Sequence, residues 1–198
     1  MATKEDILEQ VVEEYLIHRG YFVIHNIKYR PDKNHSHFNP QKDSNHSDID
    51  VVGVHPLKSG PERVVVVSCK SWQGGFNVSA KLEEIAKNKK VSGRDAWKGF
   101  RELTKKKWSV AFCKAVERVS GSKKFTHILA VTKVKGDRLL WENHKVFREA
   151  IGGNPLKIVT FEEMISAIDK NLTKTLANTE VGRLLQLFKA AGLKLGID

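Results

Sequence analysis

The stretch HSDIDVVGVHP (46–56), followed past a turn with Gly60 and Pro61 by ERVVVVSCKSW (62–72), decides how this chain folds. Each apolar run is short and mostly valine. β-Branched runs of that length, bounded by turn formers, form buried strands. The first strand opens on two carboxylates, Asp48 and Asp50. The second ends on Ser68, Cys69 and Lys70. Side chains alternate along a strand, so Ser68 and Lys70 share one face and Cys69 lies on the other. Polar groups at adjoining strand ends, beside an all-valine interior, make a candidate site on a rigid scaffold.

The flanking segments supply the layers around these strands. Ile7, Leu8, Val11, Val12, Tyr15 and Leu16 recur at helical spacing, which predicts an amphipathic helix over 5–19. Thr3 is its candidate N-cap, with Asp6 three residues on, and Gly20 its terminator. A strand over 21–27 follows. Residues 28–47 form a long loop carrying His35, His37 and His46. Their spacing fits no standard zinc motif and no cysteine accompanies them, so a solvated loop is the reading.

After the glycine turn SWQGGFN (71–77), a basic helical region is expected over 79–119, broken near Ser92-Gly93. Trp97, Phe100, Leu103, Trp108, Phe112 and Val116 mark its apolar stripe. Strands are expected over 125–134 and 156–161. Helices are expected near 142–151, over 161–169 and over 180–191, the last capped by Thr179. A hairpin-linked run of strands followed by crossover helices implies an α/β fold: a mixed central sheet flanked by helices. Residues 1–170 read as one domain, and 171–198 as a helical extension packed on it.

Composition narrows the partners. The net charge is +11 and the pI about 9.6. Between Lys81 and Lys124 there are 14 Lys and Arg against 5 Asp and Glu, so most of the excess sits in one segment. Clustered cations of this kind suit a polyanion, most often nucleic acid. Only two cysteines occur, which suits a reducing compartment. No apolar run resembles a signal peptide or a membrane span, so a cytoplasmic protein without membrane contact is expected.

Phosphodiester cleavage needs a hard divalent cation held by one to three carboxylates, with room for water and phosphate. The cation acidifies a bound water and neutralises phosphate charge. A nearby lysine can orient that water or stabilise the developing charge. Asp50 and Glu9 are the candidate ligands here, and Lys70 is the candidate ammonium group. A Ser68–Lys70 hydrolytic dyad lacks the nucleophile elbow and oxyanion loop that such chemistry needs.

At these residues the sequence resembles the restriction-endonuclease-like superfamily, named for its PD-(D/E)XK signature. The match covers residues 9–72, with weaker topological agreement to about 165. DIDVVGV is similar to the Asp-led strand of archaeal Holliday-junction resolvases and methylation-dependent restriction enzymes, with Asp50 in the Asp position and Asp48 its neighbour. VVVVSCKSW looks like the (D/E)-X-K strand, with Lys70 as the lysine. Glu9 stands about three turns before Gly20-Tyr21, as the helix Glu does in resolvases, and Glu13 is the fallback.

The resemblance implies a Mg²⁺- or Mn²⁺-dependent DNA endonuclease, with homodimers common in the family. Two departures stand out. The proline before the motif Asp is absent, and Ser68 replaces the acidic residue. Three arrangements stay open. Glu9 and Asp50 suffice, with the Val67 carbonyl or water filling the gap; a carboxylate such as Glu83 or Glu84 has moved in; or the fold is kept as a catalytically inactive DNA-binding module.

Lys89, Lys90, Arg94, Lys105 and Lys106 are the expected phosphate contacts, lining one basic wall, with Trp72 beside the glycine turn. Such contacts give affinity without sequence information. A third class of reading is a protein-interaction subunit using the C-terminal apolar helix with Leu184, Leu185, Leu187 and Phe188.

Overall fold

The computed structural model describes residues 6–173, 175–177 and 179–193. In chain order the elements are α1 (Ile7–Ile17), β1 (Phe22–Tyr29), α2 (Pro40–Asp43), β2 (Ser47–Val54), β3 (Val64–Lys70), β4 (Phe76–Asn77), α3 (Val78–Ala86), β5 (Lys90–Val91), β6 (Arg94–Asp95), α4 (Arg101–Thr104), α5 (Lys106–Ser120), β7 (Thr126–Val131), β8 (Val134–Lys135), α6 (Leu139–Glu142), α7 (Lys145–Ala150), β9 (Leu156–Thr160), α8 (Phe161–Asn171) and α9 (Glu180–Ala190).

The central sheet has five strands in the order β1-β2-β3-β7-β9. The first three are an antiparallel meander, and β3, β7 and β9 run parallel. Parallel neighbours need crossover connections, and α3–α5 and α6–α7 supply them. The chain is therefore α/β with a mixed sheet, as the valine strands and the alternation of elements predict.

Strand alternation divides the core into two clusters, one on each sheet face. Val52, Val64, Val66, Leu129 and Val131 face Trp108, Phe112, Trp141 and Phe147 on the crossover helices. Val51, Val65, Val67 and Ala130 face Leu8, Val12 and Leu16 of α1, Met164 and Ile168 of α8, and Leu185 of α9. The C-terminal helix thus packs on the same core through Leu185, while Leu184 and Leu187 point outward and are exposed. Thr179 caps it, accepting from the Gly182 N–H, and also donates to the buried Glu14 carboxylate of α1.

Three local expectations change. The N-cap of α1 is Asp6, whose Oδ1 accepts from the Leu8 N–H at 2.9 Å, while Thr3 lies outside the described residues. Residues 87–95 are not helical. Asn88 (φ 49°), Ser92 (φ 51°) and Gly93 (φ 77°) take left-handed conformations, and β5 and β6 pair as a small hairpin around Ser92-Gly93. Two successive positive-φ residues favour a tight hairpin turn and stop a helix. The loop over 28–47 is shorter than expected, because β1 runs to Tyr29 and β2 starts at Ser47. No helix among the described residues is long and apolar enough to cross a membrane.

The sheet and α1 meet tightly at Gly53. A Cβ there would lie 2.8 Å from Val65 Cγ2 and 3.2 Å from both Leu16 Cδ1 and Tyr21 Cβ. Gly53→Ala is expected to lower stability by about 1–3 kcal/mol through overpacking, read in urea titration as a lower midpoint with an unchanged slope.

Candidate active site

The candidate site is made by a kink. Pairing of β1 with β2 runs from Phe22↔Val54 to Tyr29↔Ser47 but skips the facing residues Asn26 and Asp50. Asn26 is left-handed (φ 56°), a conformation that asparagine tolerates better than most residues. The alternation changes phase there. Val23 and Val51 face the α1 side, whereas Ile27 and Ile49, of the same parity, face the α5 side. Regular β2–β3 pairing also ends beside this kink, at Val51↔Val67. Asp50 fills the break: its Oδ2 accepts from the backbone N–H of Cys69 at 2.6 Å. The aspartate thereby satisfies a donor that the opened ladder leaves behind.

Lys70, at the end of β3, acts electrostatically on Asp50 at this break. Burial pushes the Asp50 carboxyl above its usual range. The Lys70 ammonium opposes that most strongly and the Cys69 amide next, while Asp48 and Glu102 add to the rise. Desolvation prevails, so the half-buried carboxylate is short of positive charge.

Glu9 approaches from α1. Ser71 Oγ donates to Asp6 Oδ2 at 2.6 Å, which pins the first turn of α1 to the end of β3. Glu9 lies in that turn. Burial drives the Cys69 thiol pKa well up, and the Asp50 and Glu9 carboxylates raise it further. Both acids therefore act on residue 69, Asp50 through the strand gap and Glu9 from the α1 side. The fallback, Glu13, is instead 3.4 Å from His25 Nε2 of β1.

Asp48, whose charge reaches Asp50, also forms an exposed ion pair with Lys28 at 2.8 Å. Glu84 is held by Lys81 at 2.5 Å, and Glu83 by Lys87 and Lys89 at 2.8 and 3.0 Å. Those two ammonium groups bring the Glu83 carboxyl down to about 2. Both α3 glutamates are thus held by lysines of their own segment, and Ser68 is itself buried. Glu102 of α4 is the carboxylate that periodicity does not reveal. It is buried, acts on both Asp50 and Tyr29, and lies 3.7 Å from Nε2 of the fully buried His127. Its sequence signal was an acid between the core residues Phe100 and Leu103.

The basic residues divide among separate grooves rather than forming one wall. Arg94 and Trp72 line a cavity of about 660 Å³ with Lys81, Lys98 and Arg101. Trp72 is 38% exposed, and Lys81 Nζ sits 5.0 Å from its ring centroid. Lys105 lies 4.7 Å over the half-buried Trp97 in a neighbouring cavity that also contains Lys98, Arg101 and Lys107. Lys98 and Arg101 join these two grooves. Lys90 lies exposed on the small hairpin, Lys89 is engaged by Glu83, and Lys106 opens onto a different cavity beside α7.

Among the described residues, no group of three His, Cys, Asp or Glu side chains is gathered as a metal cage. Asp50, half-buried, is an oxygen donor of the kind Mg²⁺ takes, commonly one or two carboxylates completed by water and phosphate. No family model, curated protein or solved structure matches this chain.

A carboxyl with a raised folded pKa keeps its proton in the folded state over a pH range where the unfolded chain has lost it. Stability from this group is greatest below the ordinary aspartate range and declines as pH rises through the raised folded value. In metal-free buffer, Asp50→Asn is expected to melt above the parent at pH 7 while still accepting from the Cys69 N–H. The difference should close as pH falls below the usual aspartate value; calorimetric melting across pH measures it.

Proposed function

We propose that this chain is a metal-dependent DNA endonuclease of the restriction-endonuclease-like type. The observation that carries the reading is the Asp50 carboxylate within β2, acted on by the Lys70 ammonium at the end of β3, at the break where β2 and β3 stop pairing. In this reading Asp50 would hold Mg²⁺ or Mn²⁺ at the break in the β2–β3 ladder. The bound cation would acidify a water and neutralise phosphate charge. Lys70 would orient the attacking water and stabilise negative charge as the water oxygen bonds to phosphorus and the bond to the leaving sugar oxygen breaks, that oxygen taking a proton from solvent. Glu9, at the first turn of α1, is the second carboxylate.

The grooves around Trp72 and Trp97 bring the substrate to these groups. Arg94, Lys98, Arg101 and Lys105 contact phosphates, and the two indoles offer faces to bases. Lys98, which also pairs with Asp95 at 3.1 Å, and Arg101 join this interface although nothing local in the chain sets them apart from neighbouring cations.

A second reading, a nuclease-fold module that binds DNA without cutting it, is favoured by one observation. Ser68 puts a buried neutral hydroxyl where the resemblance expects a carboxylate, removing one negative charge from the site. Cleavage assays on Asp50→Ala and Lys70→Ala separate the two. Each variant is expected to lose roughly a thousandfold in cutting rate, about 4 kcal/mol of barrier, and to keep salt-sensitive DNA binding. Variants that cut as fast as the parent would remove the assignment. Calorimetry with Mn²⁺ should show a site in the parent that Asp50→Ala lacks; a parent with DNA affinity but no Mn²⁺ heat is the inert module.

A further inference from the structure

A third basic surface lies against α5, separate from the Trp72 groove and sharing only Lys107 with the Trp97 groove. It is a cavity of about 750 Å³ between the segment 28–35 and the helix. Lys28, Arg30, Lys33, Lys107, Lys114 and Arg118 line it, against a single acid, Asp32. Two of these cations are neutralised locally, Lys28 by Asp48 and Lys107 by Asp43. Arg30, Lys33, Lys114 and Arg118 make no ion pair with a carboxylate among the described residues. Four uncompensated cations within a shared cleft repel one another until an anion enters, and that repulsion is relieved by a polyanion in particular.

Spacing and composition narrow the ligand. Lys107, Lys114 and Arg118 are separated by seven and four residues, so they form one stripe along α5. The stripe is about 16 Å long at 1.5 Å rise per residue. One strand of a duplex presents a phosphate about every 3.4 Å of axis, so the stripe spans about five phosphates. The cleft has no exposed Trp, Tyr or Phe face. Tyr29, its one aromatic ring outside the histidines, is buried edge-on against Trp108 and Phe112. Unpaired bases would find only the small imidazoles of His35 and His46 there, in contrast to the indoles of Trp72 and Trp97. Lys107, held by Asp43, lines both this cleft and the Trp97 groove, so the two share a wall.

We infer that this cleft is a second phosphate-backbone site, and that it holds a double-stranded arm of the DNA whose other portion lies at the indoles. The inference rests on the DNA-binding part of the reading above and is independent of cleavage. Arg118 and Lys114 contact one strand from the helix, and Arg30 and Lys33 close over it from the loop.

The test is fluorescence anisotropy on the full chain with two probes, a blunt duplex of about two turns and an oligothymidylate of equal length, over roughly 50–200 mM salt. The variant is Lys33→Gln/Lys114→Gln/Arg118→Gln, three exposed positions, with its melting temperature checked against the parent. Duplex affinity is expected to fall at least about tenfold, and the log–log salt slope to become shallower by about 2.7, the share of three phosphates. Oligothymidylate affinity should change less than about twofold, because the indole grooves are intact. An unchanged duplex slope in the variant overturns the cleft assignment while leaving the DNA reading in place. An equal loss for both probes overturns the duplex assignment. A parent that binds neither probe overturns the DNA reading itself, and this inference with it.

Discussion

The hydrogen bond from the Cys69 amide to the Asp50 carboxylate is the constraint on which the candidate site depends. A central strand of a mixed sheet ordinarily spends every amide on its neighbours. Here β2 and β3 part after Val51↔Val67, and a side chain takes over the donor. That substitution holds the carboxylate at the mouth of the gap, half out of water, beside the Lys70 ammonium. Asn26 makes it possible from the other side, by adopting the left-handed conformation that lets β1 follow the kink without losing its later pairs. Three strands thus deform together around one aspartate, and the valine core on both faces keeps that deformation fixed.

The helices then decide which groups reach the gap. Asp6 does two jobs at once, capping α1 with one oxygen and binding Ser71 with the other, so the first turn of α1 cannot drift from the end of β3. On the opposite face, the short helix α4 places Glu102 beneath Asp50 and Arg101 beside Tyr29. Two carboxylates in separate layers therefore influence the same strand end, through the sheet rather than along the chain. Such proximity of like charges is costly without a cation, which Lys70 only partly supplies.

The surface is organised by the same helices. The turn from α4 into α5 carries Arg101, Lys105, Lys106 and Lys107, and each points into a different or shared cleft according to helical phase. A run that reads as one cationic block in sequence becomes several surfaces in space. Trp97 and Trp108, eleven residues apart, show the same divergence: Trp108 is fully buried in the core, whereas Trp97 stays half-exposed under Lys105.

The sequence by itself determined the α/β class, the central valine strands, the amphipathic α1, and the end of β3 at Lys70. These follow from periodicity and β-branched composition, which act over a few residues. It also placed Asp50 and Lys70 as neighbours, because a short turn forces β2 and β3 to pair. Only the tertiary structure decided that Asp48 turns outward to Lys28, that Glu83 and Glu84 are consumed by lysines of their own segment, and that Glu102 is buried near the site. It alone also replaced the expected helix at 87–95 with a hairpin and split the basic wall into clefts. The physical reason is that a strand kink reverses side-chain parity and a helix distributes neighbours around its axis. Which charges meet is then fixed by how the layers pack, a property that no local window of residues contains.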